Sequence, residues 1–156
     1  MEKFNWINYL DAKNVMIDFA ASTKDDAITK LVDSLVKSGV VEDGPGFLAT
    51  VFEREELGST GIGERVAMPH GKSAGVKKMT VALAKLAAPL DFESVDKNPV
   101  DFIFMIASPM NSDSLYIKTM ASIIRSVKMN NICLKMQHLV TAGEIYDMLV
   151  KECRTV

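Results

Sequence analysis

The chain has 156 residues, of which 48% are hydrophobic and 24% are charged, a balance typical of one globular domain with its own core. The formal net charge of -2 excludes the strongly basic surface of nucleic-acid-binding proteins, so no nucleic-acid partner is expected. No run of about 18 apolar residues is present, so no membrane-spanning helix is expected. Cys133 and Cys153 lack zinc or redox spacing and are expected to be free thiols in a reducing cytoplasm.

The first element is a strand and the second a helix. Apolar residues alternate along 15–19, which is typical of a strand. Ser22, with Asp25 three residues later, resembles a capping box that opens a helix. The helix is expected to end at Gly39, because glycine favours the backbone conformation that follows a helix.

A second helix follows, and its end is the start of the most informative segment. Pro45 is expected at its first position, where a missing N–H costs nothing. The helix is expected to end near residues 57–58. Arg54 and Glu55 therefore lie in its last turn, and Glu55 is expected to face solvent.

Three strands are predicted in the middle of the chain. Residues 66–68 form a short strand that ends at Pro69. Residues 80–86 alternate between two faces. Residues 100–107 are almost continuously apolar, as expected for a central strand that is buried on both sides.

The last third is predicted to be helical, with helices over 115–127 and 131–139. Thr141 and Glu144 form a capping box for a final helix. The predicted order is β-α-α-β-β-β-α-α-α. We interpret the chain as a single α/β (α+β) domain over residues 1–156, a three-layer α/β/α sandwich with a central mixed sheet.

His70, one of only two histidines, is the candidate reactive group. Pro69 before it restricts the backbone, and Gly71 after it allows close approach of another segment. This turn is expected to present the imidazole at the end of the short strand. The other histidine, His138, lies near the end of a short amphipathic helix and is interpreted as a surface or half-buried residue.

The loop upstream of His70 is rich in glycine and hydroxyl groups. Its backbone N–H groups are expected to form an anion-binding nest at three positions: Gly58, Gly61 and Gly63. Ser59 and Thr60 add hydroxyl donors, and Arg54 adds a fixed positive charge. The loop is not a P-loop, because it lacks the Gly-Lys-Ser/Thr ending, and it is not a dinucleotide-binding turn, because it follows a helix.

These residues resemble a known family. The pattern is Arg54-Glu55, then Ser59-Thr60-Gly61-Ile62-Gly63, then Ala67-Met68-Pro69-His70. It closely resembles the IIA domain of the fructose/mannitol type in the bacterial phosphoenolpyruvate-dependent phosphotransferase system, a family that includes nitrogen-type regulatory IIA proteins. The resemblance extends over essentially the whole chain.

The resemblance implies that His70 accepts a phosphoryl group on Nε2 from the histidine-containing phosphocarrier protein. His70 would then pass the group to a cysteine of a IIB domain, which serves a membrane IIC partner during sugar uptake. Arg54 matches the family's arginine, and Ser59, Thr60 and Gly61 would support the phosphoryl site. No metal and no other cofactor are implied.

One position departs from the family pattern. The family usually carries a second active-site histidine near the start of the helix after the central strand, and the matching register here places Tyr116 there. A tyrosine is neutral near pH 7, so it does not supply the charge of an imidazolium.

Three functions stay open at this point: a phosphocarrier for sugar uptake, a regulatory domain whose phosphorylation state controls binding to a regulatory protein, and an inactive interaction domain. His70 at the motif position disfavours the third.

Overall fold

A mixed six-stranded sheet forms the centre of the computed structural model, which describes residues 4–154. The strands are β1 (Leu10–Phe19), β2 (Gly61–Gly63), β3 (Val66–Ala67), β4 (His70–Lys72), β5 (Thr80–Leu90) and β6 (Val100–Ser108). The helices are α1 (Lys24–Lys37), α2 (Gly44–Glu56), α3 (Asp113–Met129), α4 (Ile132–Gln137) and α5 (Ala142–Arg154), and a 3₁₀ turn covers Trp6–Tyr9.

The sheet order explains how His70 reaches an accessible edge. The strands run β1-β5-β6-β3-β2, and β4 also pairs with β6. β1 and β5 are parallel, whereas β5 and β6 are antiparallel. β3 and β4 lie one after the other along β6, both parallel to it, with Val66 opposite Phe102 and His70 opposite Ile106. The mixed sheet predicted from the sequence is confirmed.

The two faces of the sheet bury separate groups of helices. Along β6, Phe102, Phe104 and Ile106 pack with residues of α3, α4 and α5, and the alternating residues Ile103 and Met105 pack with α1 and α2. A period of two is what sends neighbouring strand residues to opposite faces. The predicted three-layer sandwich is therefore confirmed.

Two very short strands were missed by the predicted order. β2 and β4 have three residues each, too few for an alternating pattern to be detected. The observed order is thus β-α-α-β-β-β-β-β-α-α-α. The prediction of one domain over residues 1–156 extends past the described residues at both ends and stays a prediction.

The helix ends follow the predicted chemistry with small shifts. The predicted Ser22–Asp25 box is wrong by one residue, because the Thr23 hydroxyl caps α1 by accepting from the Asp26 N–H at 3.0 Å. Pro45 lies at the second position of α2, one later than predicted, because Asp43 is the capping residue. The box at the start of α5 is confirmed by Thr141 and Glu144.

The predicted end of α1 at Gly39 is confirmed. The N–H of Gly39 donates to Val36 and that of Val40 donates to Leu35, at 3.1 and 3.0 Å. Gly39 adopts φ +82°, a conformation that costs a residue without Cβ little.

Candidate active site

His70 is the first residue of β4 and pairs with Ile106 of the central strand. It is half-buried, at the place where α2 and α3 approach the same short strand. Pro69, between β3 and β4, interrupts the pairing with β6, since it has no N–H to donate, but its carbonyl still accepts from the N–H of Ile106 at 3.1 Å. A strand thus fixes the backbone of His70.

A backbone carbonyl sets the tautomer of His70. Nδ1 lies 2.8 Å from the carbonyl oxygen of Met68. Because a carbonyl can only accept, Nδ1 carries the hydrogen and Nε2 keeps its lone pair. The nitrogen that is left free to act as a nucleophile is therefore Nε2.

The surroundings of His70 favour the neutral ring. Burial lowers the pKa of His70 below its usual value, and the positive charge of Arg54 lowers it further. The Met68 carbonyl and the Glu55 carboxylate oppose this shift without reversing it. The imidazole is accordingly uncharged near pH 7.

Arg54 and His70 line the same open cavity, which measures about 620 Å³. Arg54 lies in the last turn of α2, as predicted, and its Nη1 donates to the carbonyl of Gly58 at 2.8 Å. Gly71 lets α2 come this close, because a Cβ there would lie 3.1 Å from Val51 and 3.2 Å from Thr50. The cavity therefore contains a neutral imidazole and a guanidinium.

Two of the three N–H groups expected to form an anion-binding nest are already used by contacts within the glycine-rich loop. The N–H of Gly58 donates to the Glu55 carbonyl, and the N–H of Gly61 donates to the Ser59 hydroxyl. The Ser59 hydroxyl itself donates to the carbonyl of Phe92 at 2.7 Å. These groups hold the loop in shape, and Gly61 has room only for a hydrogen, since a Cβ would lie 2.2 Å from the Ser94 hydroxyl oxygen.

Thr60 and Glu55 form a buried network under the loop. The Thr60 hydroxyl and N–H both donate to the Glu55 carboxylate, which also pairs with Lys24 at 2.9 Å. Glu55 is 8% exposed, so the expectation that it faces solvent is wrong. Of the residues proposed as phosphoryl-site support, Ser59, Thr60 and Gly61 are thus found in loop-holding contacts and are not among the residues lining the cavity.

Tyr116, in the first turns of α3, packs directly on His70. The two ring centroids are 5.5 Å apart and the planes meet at 66°. Burial raises the pKa of the Tyr116 hydroxyl, although the charge of Arg54 acts in the opposite direction, so the phenol is neutral. Tyr116 therefore gives the cavity an aromatic wall without a charge.

Two features of the site were missed by the sequence analysis. The contact with the Met68 carbonyl could not be predicted from the sequence, because every residue has a backbone carbonyl. Lys72 left a weak signal: it follows His70 by two residues, and residues two apart on a strand share a face. His138 is exposed at the end of α4, as expected.

Residues 4–154 contain no cluster of three or more histidine, cysteine or acidic side chains arranged to hold a metal ion. Within the same residues, no helix is both long and apolar enough to cross a membrane.

The fold and the site define a three-layer α/β domain that presents one neutral histidine beside an arginine in an open cavity. The chain belongs to the family described as phosphoenolpyruvate-dependent sugar phosphotransferase system, EIIA 2, whose model matches residues 8–152. Members of this family are phosphotransfer components, so the chain has a general role in phosphoryl transfer.

Relatives of both functional types are similar to the chain. It is 29% identical to a fructose-specific EIIA component of Haloferax volcanii over 88% of this chain and 89% of that one. It is 36% identical to a nitrogen regulatory protein of Bradyrhizobium diazoefficiens, over 64% of this chain and 65% of that one. It spans 20% of a 2-O-alpha-mannosyl-D-glycerate-specific EIIABC component of Escherichia coli, at 32% identity.

Solved structures support the same fold. The nitrogen regulatory protein IIA-Ntr of Neisseria meningitidis superposes with a TM-score of 0.83 at 26% identity, over 92% of this chain and 97% of that one. The IIA mannitol protein of Escherichia coli gives 0.75 at 25% identity, over 89% and 97%. IIA mannitol has also been solved in complex with phosphorylated IIB mannitol, and at 24% identity that likeness concerns the fold alone.

Proposed function

We propose that the chain is a phosphocarrier that accepts a phosphoryl group on Nε2 of His70 from the histidine-containing phosphocarrier protein. It then transfers the group to a cysteine of a IIB domain, which serves sugar uptake through a membrane IIC partner. As part of this proposal the chain acts in the cytoplasm. The observation that carries the proposal is the hydrogen bond from Nδ1 of His70 to the Met68 carbonyl.

That hydrogen bond supports a defined chemical step. The lone pair of Nε2 forms the new N–P bond while the N–P bond of the donor breaks, and the electron pair of that bond stays on the donor nitrogen. No proton has to move, because Nδ1–H remains bonded to Met68. A neutral imidazole is the form that can attack, and burial of His70 favours it.

Arg54 is proposed to stabilise the phosphoryl group during transfer. Phosphoryl transfer has a loose transition state whose charge lies on the equatorial oxygens, so fixed donors and positioning supply most of the catalysis. The guanidinium lines the same cavity as His70, and α2 and the Gly58 carbonyl already hold it. Preorganised donors of this kind need little rearrangement when the charge develops.

The direct test is phosphorylation in vitro. The protein is incubated with ³²P-labelled phosphoenolpyruvate, enzyme I and the phosphocarrier, and acid-labile label is counted. Wild type is expected to take one label per chain, His70→Ala none, and the matched control His138→Ala the same amount as wild type. Label that survives in His70→Ala would refute the proposal.

A regulatory role is the second candidate, and the similarity to nitrogen regulatory proteins favours it. The relative from Bradyrhizobium diazoefficiens has the higher identity, and IIA-Ntr has the higher TM-score. In this alternative the phosphorylation state of His70 controls binding to a regulatory protein. Phosphorylated protein would be mixed with IIB domains of the same cell: transfer to one of them supports the transport role, and retention of the label with all of them supports the regulatory role.

A further inference from the structure

Lys72 is a second positive charge on the wall of the proposed phosphorylation site. It is carried by β4 two residues after His70, so both side chains point to the same face of the sheet. Both line the same cavity. The strand therefore presents a nucleophile and an ammonium group side by side.

Tyr116 connects the two residues. Its ring centroid is 5.5 Å from that of His70 and 5.8 Å from Nζ of Lys72. The ammonium thus lies over the aromatic ring whose other neighbour is the imidazole. The Lys72 ammonium is therefore near the place that a phosphoryl group on His70 would occupy, and it is still partly exposed to solvent.

Lys72 is currently paired with Asp113, the first residue of α3. Nζ is 2.8 Å from Oδ1, and the two side chains are 38% and 70% exposed. Exposed ion pairs of this kind contribute little to stability, so the pair can be exchanged at low cost. Asp113 also keeps a favourable position without the lysine, because a carboxylate in the first turn interacts well with the helix dipole.

A phosphoryl group on His70 offers Lys72 a better partner. It has three acceptor oxygens and close to two negative charges, and charge-assisted hydrogen bonds to phosphate are stronger than neutral ones. Arg54 approaches from α2, and Lys72 would approach from the α3 side of the cavity. The two cations would then flank the transferred group.

We propose that Lys72 contacts the phosphoryl group on His70, exchanging its ion pair with Asp113 for the phosphoryl oxygens during transfer. Lys72 then supplies the positive charge that Tyr116 lacks. The exchange releases Asp113 at the exposed start of α3, which gives a partner a surface that differs between the two phosphorylation states. This inference rests on the proposed phosphorylation of His70.

The kinetic test compares transfer from the phosphorylated phosphocarrier to wild type and four variants. Lys72→Met is expected to lower the maximal rate about tenfold, with the half-saturating donor concentration unchanged within about twofold, because a phosphoryl contact acts on the transfer step. Lys72→Arg keeps the charge and is expected to remain within about threefold of wild type. Asp113→Asn is expected to match or exceed wild type, since it frees the ammonium.

Lys77→Met is the matched control, because Lys77 also forms an exposed ion pair, with Glu42 at 3.3 Å, and does not line the cavity. It is expected to behave as wild type. A loss in Lys72→Met that lies entirely in the half-saturating concentration would overturn the proposal, because that is the signature of a docking charge. An unchanged maximal rate in Lys72→Met would also overturn the proposed Lys72 contact. The proposed function would still stand in that case, provided that wild type is labelled in the same assay. No label on wild type would overturn both.

A second measurement observes the exchange itself. The ammonium resonance of Lys72, assigned by its loss in Lys72→Arg, is followed by ¹⁵N NMR before and after phosphorylation. It is expected to shift and to exchange its protons more slowly in the phosphorylated protein, while the resonance of Lys77 stays in place. An unchanged Lys72 resonance in fully phosphorylated protein would contradict the proposal.

Discussion

The two walls of the cavity differ in the burial of their polar contacts. The α2 wall comprises Arg54, which lines the cavity, and Glu55 with the loop 58–61, which support it from behind through a buried network. In that network the Glu55 carboxylate pairs with Lys24 and accepts from Thr60. The α3 wall comprises Tyr116, which lines the cavity, and Asp113 beside it. It meets β4 through the ring contacts of Tyr116 with His70 and Lys72 and through the exposed ion pair of Asp113 with Lys72. The Glu55 network is closed off from solvent, whereas the Lys72–Asp113 ion pair is exposed and can exchange at low cost.

The largest expected effect comes from removing the buried carboxylate of the α2 wall. Glu55→Ala leaves Lys24 and Thr60 without their buried partner, and breaking such a pair costs about 3 kcal/mol of unfolding free energy. Urea denaturation checks this. Glu56→Ala, one residue away and exposed, is the control and should be close to wild type. Equal stability of the two variants would show that the α2 wall is not held by this network.

The second-largest effect is expected for Arg54→Ala, which removes the positive charge of the α2 wall. We expect the rate of phosphorylation by the phosphocarrier to fall about thirtyfold, as for loss of a hydrogen bond to a charged group. The pKa of His70 should rise in the same variant, because the guanidinium lowers it in wild type. Transfer assays quenched at set times measure the rate of phosphorylation, and an NMR titration measures the pKa of His70. Arg125→Ala, an exposed arginine on α3, serves as control and should change neither.

The close approach of α2 to β4 is tested by Gly71→Ala. The added Cβ would lie 3.1 Å from Val51 and 3.3 Å from Phe47, so these side chains of α2 must give way, at a cost of about 1–2 kcal/mol. Gly143→Ala is the matched control: it has open space and lies in α5, where alanine is the better helix former. Thermal unfolding should show opposite signs for the two variants. A neutral Gly71→Ala would mean that contact with α2 does not position the site.

The sequence allowed the site to be located but not its internal contacts to be assigned. His70 and Arg54 could be identified because a rare residue and a fixed charge stand in a specific pattern. The inward direction of Ser59 and Thr60 could not be predicted, since hydroxyl side chains serve equally well as ligand donors and as loop contacts. Lys24, the partner of Glu55, lies 31 positions away in the chain, and only the packing of α1 against α2 brings it there.

The secondary-structure elements show the same contrast between features that the local sequence reveals and features that depend on distant contacts. Long periodic segments such as β6 and α3 were predicted to within two residues at each end because burial imposes the pattern over many residues. β5, predicted over 80–86, continues to Leu90 through residues that are exposed and carry no such pattern. β2 and β4 are too short to show a burial pattern, and their strand pairing defines them: Gly61 pairs with Ala67 of β3, and His70 pairs with Ile106 of β6. The position of His70 on a strand therefore emerged only from the structure.

The smallest effect concerns pH. His70 has a lowered pKa in the folded state, so the unfolded chain takes up the proton first as pH falls. This contribution to stability is complete above about pH 6.5, the ordinary histidine value, and is lost as pH falls through the folded pKa. Urea unfolding of wild type and His70→Gln between about pH 5 and 7.5 should show the stability of wild type decreasing more steeply toward acid. Parallel curves would contradict the lowered pKa.

The central claim is that the Met68 carbonyl directs phosphorylation to Nε2 of His70. The most direct test is ¹⁵N NMR of protein labelled at its histidine nitrogens, recorded before and after phosphorylation. The account predicts that the free protein has hydrogen on Nδ1, and that in the phosphorylated protein Nε2 of His70 shows coupling to ³¹P while Nδ1 keeps its hydrogen. Coupling of ³¹P to Nδ1, or to a nitrogen of His138, would contradict it.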